Sequence, residues 1–192
     1  MRPLMFALAL AVGVHVAAAR ADEITDQVHQ AMDAYGRQEF ATAITGLQTA
    51  LNLLRQARAA AYKTLLPAPP ADWKADPPDV IATGAAAMLV GDGASRKYHH
   101  LDQAVTVSIV ADSPMIAVVS ALATSGMAAV AGVQTVMIKN QPVFYMSNDN
   151  AYTAVVAGHV VVRVEGGQTV RESDLRKFLD AVDFAAIQQV TR

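Results

Sequence analysis

The sequence predicts an α+β fold in which an N-terminal helical hairpin is followed by a mainly antiparallel sheet packed with helices. Apolar residues recur at helical spacing up to about residue 66, whereas from about residue 80 they alternate with a period of two. The predicted strands are joined by short links, which favour antiparallel neighbours. The chain therefore divides into a signal peptide (1–21), a helical hairpin (22–66), a Pro-rich linker (67–79) and an α+β sandwich domain (80–192).

The first 21 residues have the pattern of an export signal. Arg2 supplies positive charge, Leu4 to Val16 are mostly apolar, and Ala19-Arg20-Ala21 has the small-x-small form of a cleavage site. A lipid anchor would need a cysteine at the cleavage point, and the sequence has none. We therefore expect a periplasmic or secreted protein.

Charge and cysteine content exclude several classes of function. The sequence has 15 Lys and Arg residues, and two of them, Arg2 and Arg20, lie in the predicted signal. Residues 22–192 therefore have 13 basic and 17 acidic residues, a net charge of −4. This balance, without a basic cluster, predicts no nucleic-acid binding. Without cysteine the protein has no disulfide, thiolate zinc site or iron–sulfur cluster, and a hydrophobic core must hold the fold.

Two helices are predicted within the hairpin. The first runs near Glu23 to Tyr35, Gly36 offers a break, and the second starts near Gln38. An apolar stripe on the second helix advances in steps of three and four residues. The next position in this spacing is the charged Arg58, where the apolar stripe ends. The stripe consists of Phe40, Ala43, Ile44, Leu47, Leu51 and Leu54.

The segment from Gly36 to Leu51 resembles the second half of a tetratricopeptide repeat. The matching positions are the aromatic Phe40, the small Ala43, the large Leu47 and the Ala50-Leu51 pair. About one repeat is covered and the sequence shows no second copy, whereas stacked repeats need about three units. A helical hairpin docked on its neighbour is therefore favoured over a peptide-binding array.

The linker is rich in proline and contains the only tryptophan. Five prolines make it stiff and non-helical, namely Pro67, Pro69, Pro70, Pro77 and Pro78. Trp73 is predicted to anchor the linker or the first strand to the core, with ligand stacking as the alternative.

The second part of the chain is predicted to contain strands and two helices. Strands are expected at 105–109, 133–138, 143–146, 152–156 and 160–164. Asp112-Ser113-Pro114 indicates a helix start. Thr169 and Glu172 have the spacing of a capping box and predict a C-terminal helix with the stripe Leu175, Phe178, Leu179 and Val182.

Residues 66 to 188 resemble exported bacterial proteins of unassigned function. The resemblance rests on the Pro-rich stretch before Trp73, Ser95-Arg96-Lys97-Tyr98 before a strand, Asp112-Ser113-Pro114 before a helix, and the closing Leu179-Asp180-Ala-Val-Asp183. In element order this part is also similar to the sandwich of photosystem II extrinsic proteins. That resemblance implies no catalytic residues, and a shared fold does not establish a function.

The densest polar cluster is the segment from Arg96 to Asp102. On a strand, Arg96, Tyr98, His100 and Asp102 share one face, and Lys97 and His99 the other. His99 and His100 are candidate metal ligands only if a bulge or turn brings them together and a third ligand, such as His159 or Asp102, joins them. The alternative interpretation is a solvated strand end beside a turn.

Two further segments allow alternative interpretations. Gly91-Asp92-Gly93 is read as an ordinary turn in preference to an anion cradle, because it lacks the spacing and the lysine of a P-loop. Met115 to Ile138 has no charged residue and is long enough to span a bilayer. Its many small and polar residues instead favour a buried helix, a glycine loop and a strand.

The leading functional hypothesis is a non-enzymatic periplasmic binding or protein-interaction module. Its contact surface would be the hairpin face or the open sheet edge, and its partner another periplasmic protein. The sequence has no serine-hydrolase elbow, no H-E-x-x-H and no dinucleotide fingerprint, so no catalytic residue or cofactor is assigned. The alternatives are a metal-dependent enzyme or hydrolase centred on Arg96 to Asp102, and a membrane-associated accessory protein using Met115 to Ile138.

Overall fold

A computed structural model gives the structure of this protein. It describes residues 8–81, 90–124 and 133–191, with side chains at 22–81, 90–121 and 133–191. The chain forms two compact units, Met1–Gln56 and Ala57–Arg192.

The N-terminal unit is built on two helices, α1 (Leu8–Gly36) and α2 (Phe40–Leu65), and the boundary between the units falls within α2. The predicted hairpin is confirmed. The second helix starts at Phe40 instead of near Gln38, because Gln38 has a φ of 63° and so cannot lie in a right-handed helix. The amide of Glu39 donates to the carbonyl of Ala34 at 2.9 Å, which closes the connection between the helices.

The C-terminal unit contains an eight-stranded sheet. Its strands are β1 (Lys74–Ala75), β2 (Asp79–Ile81), β3 (Asp92–His100), β4 (Gln103–Ala111), β5 (Val133–Ile138), β6 (Gln141–Met146), β7 (Ala151–Val156) and β8 (Val160–Gly166). Their order is β1-β3-β4-β8-β7-β6-β5, with β2 also paired to β3. Every pairing among the described strands is antiparallel, which confirms the α+β class.

Three helices that lie wholly within the described residues accompany the sheet: α3 (Met115–Thr124), α4 (Glu172–Ala181) and α5 (Phe184–Val190). Successive residues of a strand point to opposite faces, so Val160, Val162 and Val164 lie together on one face of β8. That face forms the main core with side chains of α4 and α5, among them Phe178 and Ile187. The predicted inward alternation of β8 is confirmed.

The opposite face of the sheet carries a smaller cluster in which Val119 of α3 is grouped with Val133 and Phe144. Of the α3 side chains described, Val119 alone is buried, and Val118 is well exposed. The helix and the strand predicted within Met115 to Ile138 are therefore present, but the helix is not buried over 115–121. The predicted glycine loop lies outside the described residues. Within the described parts of the chain, no helix has the length and apolar character needed to cross a membrane.

The capping box predicted at Thr169 and Glu172 is wrong. Helix α4 begins at Glu172, its N-cap is Arg171, and no side chain caps the first turn. The carboxylate of Glu172 instead accepts a hydrogen bond of 2.6 Å from the Tyr152 hydroxyl on β7. The local pattern was overridden by a tertiary contact to a strand 20 residues away.

Candidate interaction surface on the helical hairpin

Small residues hold the two helices of the hairpin together. Ala31 and Ala34 on α1 are buried, as are Ala43 and Ala50 on α2. Gly46 lies among them, since a Cβ added there would sit 3.0 Å from the Ala31 Cβ. Such short side chains let the helix backbones approach closely, so the large apolar side chains of α2 are not needed between the helices.

Those large side chains are exposed instead. Five of them on α2 have between 46% and 58% of their surface accessible. We call them the α2 seam: Phe40, Ile44, Leu47, Leu51 and Leu54. Contiguous exposed apolar side chains mark sites of protein or membrane interaction.

Two exposed residues of α1 extend this surface. Met32 and Tyr35 are 62% and 67% accessible, and the Tyr35 ring meets the Phe40 ring edge-on with centroids 6.1 Å apart. We call the α2 seam together with Met32 and Tyr35 the apolar face. The sequence revealed its α2 members as a stripe, but of that stripe only Ala43 is buried.

A polar groove of about 420 Å³ lies between α1 and α2, lined mainly by threonine and glutamine side chains. Three of its lining residues, Thr42, Thr45 and Thr49, lie on the side of α2 opposite the α2 seam. The Thr45 and Thr49 hydroxyls donate to backbone carbonyls one turn earlier, at 3.0 Å each, so these donors are used within the helix. The hairpin thus has one apolar and one polar face.

The polar segment predicted as a site, Arg96 to Asp102, forms the end of β3 and its turn into β4. The Arg96 Nε donates to the Asp76 carbonyl at 2.7 Å, and the His99 Nε2 lies 2.9 Å from the Asp76 carboxylate. Tyr98 is fully buried and donates to the Pro67 carbonyl at 2.7 Å. These contacts fasten the segment after α2 to the edge of the sheet.

The structure does not bring the candidate metal ligands together. His99 faces Asp76, whereas the His100 ring lies against Trp73 with centroids 5.5 Å apart. His100 pairs with Gln103 at one end of β4, while His159 precedes Val160 at the other end, about 26 Å away. His159 is therefore not a third ligand. Among the side chains described, at 22–81, 90–121 and 133–191, no three His, Asp or Glu residues cluster as a metal site would require.

Trp73 anchors the segment after α2 to the core, as predicted. Its side chain is buried, and its ring packs edge-on against Phe178 with centroids 5.0 Å apart. The Phe178 ring also packs against the Tyr98 ring, with centroids 4.8 Å apart. The three rings therefore join the linker, β3 and α4.

An ion cluster that the sequence did not indicate joins the end of α2 to the sheet. Both Arg58 Nε and Nη2 donate to the Asp92 carboxylate, at 3.0 and 2.5 Å, and Nη2 also donates to Asp112 at 2.6 Å. The Asp92 side chain is 3% exposed. Its hydrogen bonds to Arg58 raise the pKa of that guanidinium, so Arg58 stays charged. The only signal in the sequence was that Arg58 ends the apolar stripe.

Gly91-Asp92-Gly93 is neither the predicted turn nor an anion cradle. Asp92 and Gly93 are the first residues of β3, and the Asp92 carboxylate places negative charge where an anion would lie. A Cβ on Gly93 would sit 2.0 Å from the Ile109 carbonyl oxygen, so glycine is required for this approach to β4. The segment is structural.

Comparisons with protein-family models, curated proteins and solved structures give no match for this chain. The resemblances to a tetratricopeptide unit and to exported bacterial proteins therefore stay predictions.

Proposed function

We propose that this protein is a non-enzymatic interaction module that binds another protein through its apolar face. The observation that carries the proposal is the exposure of seven large apolar side chains on one side of a two-helix layer. Scattered exposed apolar residues are ordinary, but a contiguous set at regular helical spacing favours a helix-in-groove or helix-on-helix contact.

Charge favours a protein partner over a membrane surface. Residues 40–54 contain no charged residue, and α1 carries Asp22, Glu23, Asp26 and Asp33 after the predicted signal. Interfacial membrane helices typically combine an apolar face with lysine and arginine, which attract anionic lipid headgroups. The four acidic residues of α1 would be repelled by anionic headgroups, whereas an uncharged apolar stripe suits burial against another protein.

The export signal is the second part of the proposal. Cleavage after Ala21 would leave a chain beginning at Asp22, within α1, and would retain every residue of the apolar face. Intact mass spectrometry of the protein from a periplasmic extract should show an N-terminus at Asp22. Replacing Ala19 and Ala21 by aspartate should block the cleavage. An uncleaved wild-type chain found in the cytoplasm would contradict export.

The contact surface is tested by photocrosslinking in the native host. A photoreactive amino acid replaces Leu47 at the centre of the α2 seam or, in a matched variant, Met137 on the edge strand β5, which is 62% exposed. The proposal expects a specific protein adduct from position 47 that is absent from position 137.

Two other outcomes would change the proposal. Adducts from position 137 alone would move the contact surface to the open sheet edge. No protein adduct at either position would contradict the interaction module.

A further inference from the structure

We infer that the α2 seam pairs with the α2 seam of a second copy of this chain, so that two hairpins form a four-helix bundle. This inference rests on the proposed function and names the partner. Three observations carry it: the spacing of the seam, the lack of charge along the seam, and the area that the whole apolar face exposes.

The seam has the spacing of a coiled coil. Its five residues advance in steps of four, three, four and three, an average of 3.5 residues, over about 21 Å of helix. An α-helix has 3.6 residues per turn, so such a seam drifts by only about 20° per heptad and stays on one side of α2. A second helix with the same repeat is the natural complement of this row of side chains.

The positions beside the seam do not discriminate against an identical partner. In coiled coils, charged residues flanking the apolar positions select the partner through attraction and repulsion. Along residues 40–54 the flanking residues are Ala41 and Gln48 on one side and the buried Ala43 and Ala50 on the other, and the first charged flanking residue is Arg55, just beyond Leu54. Two copies can therefore approach with their seams facing and no like charges opposed between residues 40 and 54.

The exposed area fits a dimer of this kind. Each residue of the apolar face is about half accessible, which for side chains of this size exposes on the order of 100 Å² each, or about 700 Å² in all. A stable interface buries about 800 Å² on each partner. In a two-fold dimer the same patch serves both partners, so one apolar face on each chain provides the whole contact.

The deciding experiment is the solution mass of the protein expressed from its full sequence and purified by a C-terminal tag. Sedimentation equilibrium should give twice the mass of one chain. Leu47→Glu should raise the dimer dissociation constant by at least about 100-fold, because a carboxylate would be buried unpaired at the centre of the seam. Met137→Glu, a charge placed on an equally exposed residue of β5, should leave the dimer unchanged.

Two further variants guard against misfolding. Circular dichroism should show that Leu47→Glu keeps its helix content, since Leu47 is 53% exposed in the single chain. Leu51→Gln, a milder change, should weaken the dimer in the same direction. A wild-type protein that is monomeric at about 100 μM, well above the dissociation constants of stable dimers, would overturn the inference, as would a dimer that both seam variants leave intact.

Failure of the inference can be separated from failure of the proposed function. If the purified protein is monomeric but the photoreactive residue at position 47 gives an adduct with a different protein, the interaction module stands and the second copy is the wrong partner. If neither position 47 nor position 137 gives a protein adduct in cells, the proposed function itself fails. A crosslinked species of twice the chain mass supports both.

Discussion

The two parts of α2 use their residues in opposite ways. From Phe40 to Leu54 the helix buries alanines and exposes its large apolar side chains. From Arg58 onward it buries Ala59 and Tyr62 completely and binds the sheet through an ion cluster. One continuous helix thus exposes apolar side chains in one compact unit and contributes buried side chains to the core of the other. Periodicity identifies an apolar face, but only the surrounding fold decides whether that face is buried.

The largest expected effect is a loss of stability at alkaline pH, caused by groups in the unit Ala57–Arg192. Burial raises the pKa values of Tyr62, Tyr98 and Tyr152 to about 12 from an ordinary value of 10.0, and all three lie in the unit Ala57–Arg192. Between these values the unfolded chain has released protons that the folded chain retains, so the free energy of unfolding falls as pH rises. The stabilisation is complete below pH 10 and lost by about pH 12, on the order of 3 kcal/mol for each tyrosine.

Urea denaturation followed by far-ultraviolet circular dichroism at a series of pH values measures this loss. Tyr62→Phe removes one of these titrating groups, so it should make the decline between pH 10 and 12 shallower. A free energy of unfolding that stays constant through this window would contradict the burial of the tyrosine hydroxyls.

Alanine substitutions in the two parts of α2 test the contrast between them directly. Tyr62→Ala should lower the free energy of unfolding by about 3–5 kcal/mol, because a fully buried aromatic ring is lost. Leu51→Ala, in the exposed seam, should cost less than about 1 kcal/mol. Both are measured in the Leu47→Glu background so that self-association affects neither value. Equal losses would mean that the seam is packed within the single chain.

Removal of one carboxylate at a time tests the ion cluster. Asp92→Asn should cost about 2–3 kcal/mol, because it weakens the bidentate partner of Arg58 at a site where the carboxylate is 3% exposed. Asp112→Asn, whose side chain is 54% exposed, should cost less than about 1 kcal/mol. Thermal denaturation of the two variants side by side gives the comparison. A larger loss for Asp112→Asn would reverse the assigned importance of the two pairs.

The smallest effect concerns two buried hydroxyls. Among the described residues the Tyr62 hydroxyl has no hydrogen-bond partner, whereas the Tyr98 hydroxyl donates to the Pro67 carbonyl. At neutral pH, Tyr62→Phe should leave stability unchanged or raise it by up to about 1 kcal/mol. Tyr98→Phe should lower it by about 1 kcal/mol, since the carbonyl loses its donor. Urea titrations resolve the difference, and the opposite order would indicate a hidden partner for Tyr62.

Much of the fold could be predicted because local patterns agreed with tertiary structure. The alternation in β8 matched its buried face, and β5 occupies the residues predicted for it, 133–138. The capping box failed because the Tyr152 hydroxyl binds the Glu172 carboxylate, a contact that no local pattern encodes. Over residues 115–121 the predicted burial of α3 failed, because apolar composition alone does not show that a helix has a covering partner.

The candidate surface could be predicted only in part. The stripe on α2 was evident from its spacing, but its exposure depends on Ala31, Ala34 and Gly46, which let the helices pack without it. The ion cluster escaped prediction because Arg58 meets partners 34 and 54 residues away. The composition of the segment around His99 and His100 predicted a polar site, but the two side chains have different neighbours. His159 lies beside the opposite end of β4.

The position of Trp73 has a practical consequence. It is the only tryptophan in the chain, and it lies in the unit Ala57–Arg192, enclosed by Phe178 and His100. Its fluorescence therefore reports the packing of that unit alone, without any label. When the helical hairpin melts, binds or is altered by mutation, the emission of Trp73 offers an internal optical reference for whether the sheet has remained intact.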